Sequence, residues 1–569
     1  MKTEIAKLLF KAIKEEAKNQ EVGVDLTEEK IINLIEIPPS VEMGDYAFPC
    51  FILSKYFKIA PQEVSILIRK NLPTKNFSDI QTAGPYINFF VDRNKSTLNL
   101  IKSILKQKEK FGGSDVGGGD KVLIEFSQPN THKAFHVGHI RGTSIGESLS
   151  RISEFSKNKV IRANYSGDTG MHIAKWIWCY GKYHSREKLK NDESWIASVY
   201  VDAVKRLARN KKSQDEVNVI NQKIENKSDK TINRIWAKTR KLSIESWKKI
   251  YQELNTKFDV HFFESEVEIP GREIALDLLK KGIAKKSEGA VIMDLREYDR
   301  GVWVLLRKDG TVLYSAKDIA LAEKKYKKFL SDRYLVVVGD EQKFHFQQLV
   351  KTLEMMDVPF KDNYGFLPFG MIRFPTGKMS SRTGENVLYS TFIEEVKKLA
   401  SKEVKKREPK IRRGELEKRS LGISIAAIKY SMLKQDPKKI IIFNPKESIS
   451  FEGNTGPYLL YSYARASSIL RKVKTKQMLR LGNLDEKELE LIKSLSKFPE
   501  VVSNAYKNLN PSLIANYAYE ISHLFNEFYH ACPVANSKKE KFRIMLVESF
   551  RIVLKNSLNL LGIDTLEKM

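Results

Sequence analysis

Residues 121–150 read KVLIEFSQPNTHKAFHVGHIRGTSIGESLS, and their pattern decides the fold. The run from Lys121 to Ser127 is largely apolar, as in a parallel strand covered on both faces. Pro129 lacks the N–H that a sheet ladder needs and ends the run; helical spacing begins near His136. A second strand pattern, KVIRANYSG, starts at Lys159. Strand, helix and strand in that order predict a βαβ unit.

Upstream, residues 1–112 read as a separate α+β unit with an amphipathic helical start, a second helical pattern and the alternating strand GPYINFFVD. The cluster Gly112, Gly113, Gly117, Gly118 and Gly119 predicts a loop or linker. Residues 119–412 read as one α/β domain, with a later strand YLVVVGD at 334–340. A charged, mostly helical insertion interrupts it at about 180–290 and gives way to the strand-like GAVIMDL. From 413 to 569 the spacing is helical throughout, as in SLGISIAAIKYSML and SLIANYAYEISHLFNEFYHAC, which predicts an all-α bundle.

The 569 residues are 42% hydrophobic, enough for several packed cores. No run of about 18 uncharged apolar residues suggests a membrane span. The N-terminus, MKTEIAKLLFKAIKEEAKNQ, lacks the long apolar core of a signal peptide. Cys50, Cys179 and Cys532 are far apart and form no CxxC pair. They are expected as buried free thiols in a reducing cytoplasm, with no zinc site and no disulfide framework. The net charge of +28 admits two readings: a polyanionic partner, or a lysine-rich chain with solvated helix faces.

His136, Gly138 and His139 form an HxGH element where the first strand hands over to its helix. A helix N-terminus presents unpaired N–H groups and partial positive charge, so anions bind there. Glycine between the histidines lets a flat base or phosphate approach the backbone, and each imidazole can donate to a phosphate oxygen. Alone, the element reads more readily as a surface histidine pair; no Cys, Asp or Glu nearby completes a metal ligand set. Far downstream, FGMIRFPTGKMSSRTGENV places Lys378, Met379, Ser380 and Ser381 between Gly377 and Gly384. A glycine-flanked lysine loop suits a lid over a triphosphate, and alone it reads more readily as a basic turn.

Together, HxGH and KMSS resemble the two signatures of class I aminoacyl-tRNA synthetases, in the right order. EFSQPNTHKAFHVGH, NYSGDTG, LYSAKDIALA, VVVGDEQKFHFQQL, GKMSSRTGENV and FEGNTGPYLLYSYAR resemble, in sequence order, the blocks of the arginyl-tRNA synthetase family. LLGIDTLEKM resembles that family's C-terminus. The resemblance spans nearly the whole chain and is weakest at about 180–290. It implies a Rossmann-like parallel-sheet catalytic domain, an N-terminal domain touching the tRNA elbow and a helical anticodon-binding domain. It also implies a cytoplasmic monomer that activates L-arginine with ATP and Mg²⁺ and charges tRNA(Arg), with tRNA bound before activation.

Carried across residue by residue, the resemblance assigns catalysis to His136, His139, Lys133 and Lys378. ATP falls to those four with Gly138, Met379, Ser380 and Ser381. Glu125, Asn130, His136, Tyr314, Asp318 and Gln342 take arginine. A guanidinium calls for carboxylates, which Asp318 and Glu125 both offer. The resemblance favours Asp318 for the guanidinium, with Tyr314 beside it, and Glu125 for the α-ammonium, while the sequence does not separate these two roles. Where many class I enzymes have KMSKS, this chain reads KMSSR: Ser381 stands for the second lysine, whose duty passes to Lys133. Ala134 stands where proline is common, and Gln128 where serine is. Tyr458, Tyr461, Tyr463 and Arg465 are expected either to stack tRNA bases or to face the bundle core. The rival readings are a class I synthetase for another amino acid, a non-catalytic tRNA-binding paralogue and another nucleotidyltransferase.

Overall fold

The computed structural model describes residues 2–74, 77–210, 212–375, 387–473 and 477–569. The chain divides into two compact units, Met1–Lys106 and Gln107–Met569. In the first, Ile5, Leu9 and Ile13 of the helix Lys2–Asn19 share one core with Phe48, Ile87 and Phe89. Those three belong to an antiparallel sheet of β1 (Tyr46–Pro49), β2 (Phe77–Ala83) and β3 (Tyr86–Val91), ordered β1-β3-β2. The division falls before the expected 112 because Phe111 packs on Phe498, with ring centroids 6.3 Å apart. Asn556 Nδ2 also donates to the carbonyls of Lys108, at 2.9 Å, and Phe111, at 3.0 Å.

Among the described residues, the strands of the second unit are β4 (Lys121–Glu125), β5 (Lys159–Ser166), β6 (Val260–Phe263), β7 (Lys285–Ser287), β8 (Ala290–Asp294), β9 (Val302–Leu306), β10 (Arg333–Gly339), β11 (Tyr364–Phe369) and the two-residue β12 (Ile372–Arg373) and β13 (Ile441–Ile442), which pair with each other. Five of them form a parallel sheet ordered β11-β10-β4-β5-β6, while β7, β8 and β9 make a small antiparallel sheet. Leu123, Val336, Val337 and Val338 are buried, as a parallel sheet covered by helices requires. The stretch at about 180–290 is mostly helical, and β6 is a strand within it that the sequence pattern does not single out. Its four residues VHFF pair with Ala163–Ser166 of β5, and so short a segment has no period of its own. Elsewhere that stretch carries the helices Glu193–Arg209, Ser213–Glu225 and Lys230–Glu253.

The chain runs outward from β4 to β5 and β6, then returns to the other side of β4 for β10 and β11. The strand order therefore reverses between β4 and β10, where open α/β sheets bind ligands beyond the carboxyl ends. Those ends are Glu125 on β4 and Gly339 on β10. The helix Val137–Phe155 follows β4 and lies close on it: a Cβ added at Gly146 would stand 2.1 Å from the Phe126 ring.

Ser127, Gln128 and His132, in the loop between β4 and this helix, have positive φ angles of 80°, 52° and 62°. Such backbone persists only where its surroundings over-determine it. Here the helix Lys230–Glu253 does so. Ser243 Oγ accepts from His132 N–H at 3.1 Å, Thr239 Oγ1 meets His132 Nε2 at 2.7 Å, and Tyr251 Oη meets Ser127 Oγ at 2.9 Å. Burial pushes the His132 imidazole down to about 3, with Arg240 adding to the effect. The C-terminal region is a helix bundle, whose helices Ser512–Ala531 and Glu540–Leu560 stack Phe525 on Phe550 at 3.9 Å. All three cysteines are buried and free. Among the described residues, no helix is long and apolar enough to cross a membrane.

Two measurements test this account. Gly146→Ala forces a methyl group into Phe126 and should cost about 1–3 kcal/mol of stability in urea denaturation. His132 has its pKa lowered on folding, so its neutral form is favoured, and stability falls as pH drops below the unfolded value near 6.5. Between pH 7.5 and 5.0 the parent protein should lose about 2 kcal/mol more than His132→Asn, since a tenfold change in proton affinity is worth about 1.4 kcal/mol. Equal losses would mean that this imidazole protonates without unfolding.

Candidate active site

His136 is the N-cap of the helix Val137–Phe155, with extended backbone at φ −109° and ψ 171°. Its N–H donates to His139 Nδ1 at 3.1 Å, and the two rings stack with centroids 3.8 Å apart. His139 Nδ1 is thus an acceptor, so the ring proton of the neutral imidazole sits on Nε2. Burial holds His136 at about 4 and His139 well below the usual histidine range, with Lys133 pressing both in the same direction. At neutral pH both are uncharged N–H donors. A Cβ at Gly138 would stand 3.0 Å from Cε1 and Nδ1 of His136, so glycine here makes room for the ring stack. Burial also lowers Lys133, an effect that Glu264 opposes and Lys175 reinforces.

The lid segment itself, with Lys378, Met379, Ser380 and Ser381, lies outside the described residues. The chain on its far side is placed. Tyr389 N–H donates to Phe135 O at 2.9 Å, Val137 N–H to Val387 O at 3.3 Å, and His136 and Leu388 form an antiparallel bridge. On the near side, the buried Arg141 donates to the carbonyls of Gly370 and Met371, and also to Pro437 at 3.1 Å and Lys439 at 2.7 Å. Both flanks of the lysine loop are therefore hydrogen-bonded to the helix that carries the histidines.

Beyond β4 and β10 lies an acidic region. The buried Tyr165 hydroxyl makes no hydrogen bond among the described residues. Its pKa is driven well above the usual range, first by burial and then by Asp318, Glu264, Glu125 and Asp168. Two of these acids already have cationic partners: Glu125 pairs with the buried Lys325 at 2.5 Å, and Asp168 with Arg240 at 2.6 Å. Gln128 Nε2 also donates to Glu125 at 2.9 Å. Asp318 accepts from His345 Nε2 at 2.6 Å, and Glu264, whose carboxyl is raised by burial, meets Thr169 Oγ1 at 3.4 Å. Tyr314, 61% exposed, lies against the His345 ring with centroids 4.8 Å apart. Asn130 Oδ1 would be 2.3 Å from a Cβ at Gly167, and Gln342 is exposed just beyond β10.

Glu125, Asn130 and His136 thus lie along one strand end and its loop, and Tyr314, Asp318 and Gln342 on neighbouring elements. Nothing in the sequence singles out Tyr165, Glu264, Lys325 or His345 as individual residues. Tyr165 and His345 lie inside the blocks NYSGDTG and VVVGDEQKFHFQQL, whereas Glu264 and Lys325 sit in ordinary charged runs. In the helical bundle Tyr463 is buried and bonds Glu567 at 3.0 Å, so it faces the core; Tyr458, Tyr461 and Arg465 are half-exposed. Two Cys/carboxylate clusters occur among the described residues: Cys179, His184 and Asp202, and Asp485, Glu488 and Cys532. Each is already charge-compensated, by Arg206 in the first and by Lys539 and Arg543 in the second.

Comparison with known proteins agrees with this geometry. Residues 100–444 match the family model described as tRNA synthetases class I (R), catalytic domain. Residues 459–569 match the DALR anticodon binding domain, and residues 3–91 the arginyl tRNA synthetase N terminal domain. The arginine–tRNA ligase of Clostridium acetobutylicum is 35% identical over 552 residues, covering 96% of this chain and 98% of the relative. That of Treponema denticola is 36% identical over 558 residues, covering 94% of each. The structure of Thermus thermophilus arginyl-tRNA synthetase superposes with a TM-score of 0.78 at 25% identity, covering 98% of this chain and 99% of that one. The Plasmodium falciparum enzyme shares the fold, with a TM-score of 0.74 at 22% identity over 100% of this chain and 98% of its own. With the strand-order reversal, the paired imidazoles and the anchored flanks of the lysine loop, these matches establish that the chain belongs to the arginyl-tRNA synthetase family of class I aminoacyl-tRNA synthetases.

Proposed function

We propose that the crevice at the ends of β4 and β10 carries out both steps of arginine charging. One observation carries the reading: the acids around Tyr165 stand at the same strand ends as two neutral imidazole donors. A cationic amino acid and an anionic nucleotide would meet there. In the first step an oxygen of the arginine carboxylate bonds the α-phosphorus of ATP, the bond to the bridging oxygen breaks, and pyrophosphate leaves. In the second, the terminal ribose hydroxyl of tRNA(Arg) attacks the activated carbonyl, and AMP leaves. No protein nucleophile is required, so the protein's share is positioning and charge stabilisation.

His139, through Nε2–H, and His136 donate to the phosphates, and Gly138 admits the nucleotide. Lys133 supplies the positive charge that the first lid lysine, Lys378, completes, with Met379, Ser380 and Ser381 closing over ATP. Mg²⁺ enters with ATP as part of the substrate, held by phosphate and water oxygens. Asp318 takes the guanidinium, because its carboxylate is held by an imidazole N–H, whereas the charge of Glu125 is balanced by Lys325. Tyr314 packs beside the guanidinium. Glu125, Asn130 and Gln342 orient the α-ammonium end, and Glu264 adds negative charge to that side. The N-terminal unit takes the tRNA elbow and the helical bundle the anticodon, where Tyr458, Tyr461 and Arg465 offer stacking and phosphate contacts. We place the protein in the cytoplasm as a monomer.

The direct experiment is charging of total tRNA with labelled amino acids. Arginine alone should be incorporated, and incorporation of a different amino acid would overturn the substrate assignment. His139→Ala should lower arginine-dependent pyrophosphate exchange, with tRNA present, at least about tenfold, or roughly 1.4 kcal/mol. Unchanged exchange would remove His139 from phosphate binding. Asp318→Ala should raise the KM for arginine more than that for ATP; equal increases would take Asp318 out of the arginine pocket.

A further inference from the structure

Three elements of the second unit meet at one imidazole. His345 lies on the helix Lys343–Met355, Asp318 and Tyr314 on the helix Tyr314–Phe329, and Trp303 on β9. Trp303 Nε1–H donates to His345 Nδ1 at 3.1 Å. An indole nitrogen is a donor only, so Nδ1 must be the acceptor, and the ring proton lies on Nε2. That proton is directed at Asp318 Oδ2, 2.6 Å away. The ring is covered as well, by Tyr314 with centroids 4.8 Å apart and by Trp303 at 5.1 Å.

We propose that His345 is a positioning residue for arginine recognition, with its tautomer set by Trp303 so that Nε2–H pins the carboxylate of Asp318. The inference rests on the reading of Asp318 as the guanidinium acceptor. A free aspartate on a helix surface samples several rotamers, and a forked guanidinium rewards only a carboxylate held in one plane. The His345 bond uses one lone pair of Oδ2 and leaves Oδ1 and the second lone pair of Oδ2 for substrate. Because Tyr314 leans on the same ring, His345 fixes two residues of the arginine wall from one point. The donor matters as much as the ring. With the opposite tautomer, Nε2 would present a lone pair to a carboxylate and Trp303 would face an N–H, so both bonds would become repulsive. The arrangement acts on arginine and touches neither His136 nor Lys133, so it should leave ATP binding unchanged.

Steady-state aminoacylation by the full-length enzyme tests this, with KM for arginine and for ATP measured separately. His345→Ala should raise the arginine KM about tenfold, the usual worth of one hydrogen bond to a charged group, with the ATP KM and kcat within about twofold. His345→Gln, whose amide N–H reaches about as far as Nε2, should restore the arginine KM to within about threefold of the parent. Trp303→Phe keeps the packing and removes the indole donor, and it should raise the arginine KM by an intermediate factor. An increase shared equally by the arginine and ATP constants, or no rescue by glutamine, would reduce His345 to a structural group and overturn the proposal. Should His345→Ala fail to fold, the glutamine and Trp303→Phe variants decide alone, by the same criteria. Asp318→Asn separates the two claims. If it raises the arginine KM while the His345 and Trp303 variants do not, only the positioning role fails. If Asp318→Asn has no effect, the underlying assignment of Asp318 fails, and this inference with it.

Discussion

Two backbone hydrogen bonds tie the functional architecture together: Tyr389 N–H to Phe135 O and Val137 N–H to Val387 O. The first N–H groups of a helix have no partner within it, so the start of the helix Val137–Phe155 must be satisfied from outside. One of those donors is met by the stretch of chain that leaves the lysine loop. The same few atoms cap the helix and hold the chain at Val387–Tyr389 against the His136 turn. Arg141, near the start of that helix, holds the chain at Gly370 and Met371 by donating to their carbonyls. A buried guanidinium is costly unless bonded; both terminal nitrogens of Arg141 donate to peptide carbonyls, which ties the joint to one arrangement, while its Nε has no partner among the described residues.

Around that joint the protein separates two kinds of electrostatic surface. On the helix side, burial keeps His136 and His139 uncharged, so they offer N–H donors without demanding a counterion. On the strand side, Glu125, Asp168, Glu264 and Asp318 surround one tyrosine hydroxyl, a concentration of negative charge that would repel itself if left bare. Lys325 and Arg240 neutralise two of the four, while Glu264 and Asp318 form no ion pair with a lysine or arginine among the described residues. The helical segment before β6 has the sequence pattern of an insertion. It nevertheless braces the loop with three positive-φ residues through Thr239, Ser243 and Tyr251.

Much of this is legible in one dimension. The strand at Lys121, the helix beginning after His136, the return strand at Lys159, the glycine-rich loop and the all-helical C-terminal region all follow from period, composition and turn chemistry. These are local properties that a few neighbouring residues decide. The HxGH and KMSS elements, with the blocks around them, suffice to point to a family. β6 is hidden because a strand of four residues is defined by its partner and not by its own pattern. β11 contains Gly365 and Pro368, which blur its strand signal.

The amino-acid sequence by itself determined most element types, the order of the domains and the side chains available for chemistry, since these depend on backbone propensity and residue identity. Only the tertiary structure decided which charges remain free. Lys325 is drawn from a run of lysines to neutralise Glu125 across the sheet, and His345 is brought from another helix to hold Asp318. Asp168 is tied down by an arginine from the helical segment. The physical reason is that strength of charge inside a protein depends on distance and desolvation. Both are set by residues far apart in the chain, and no spacing or composition along it records them.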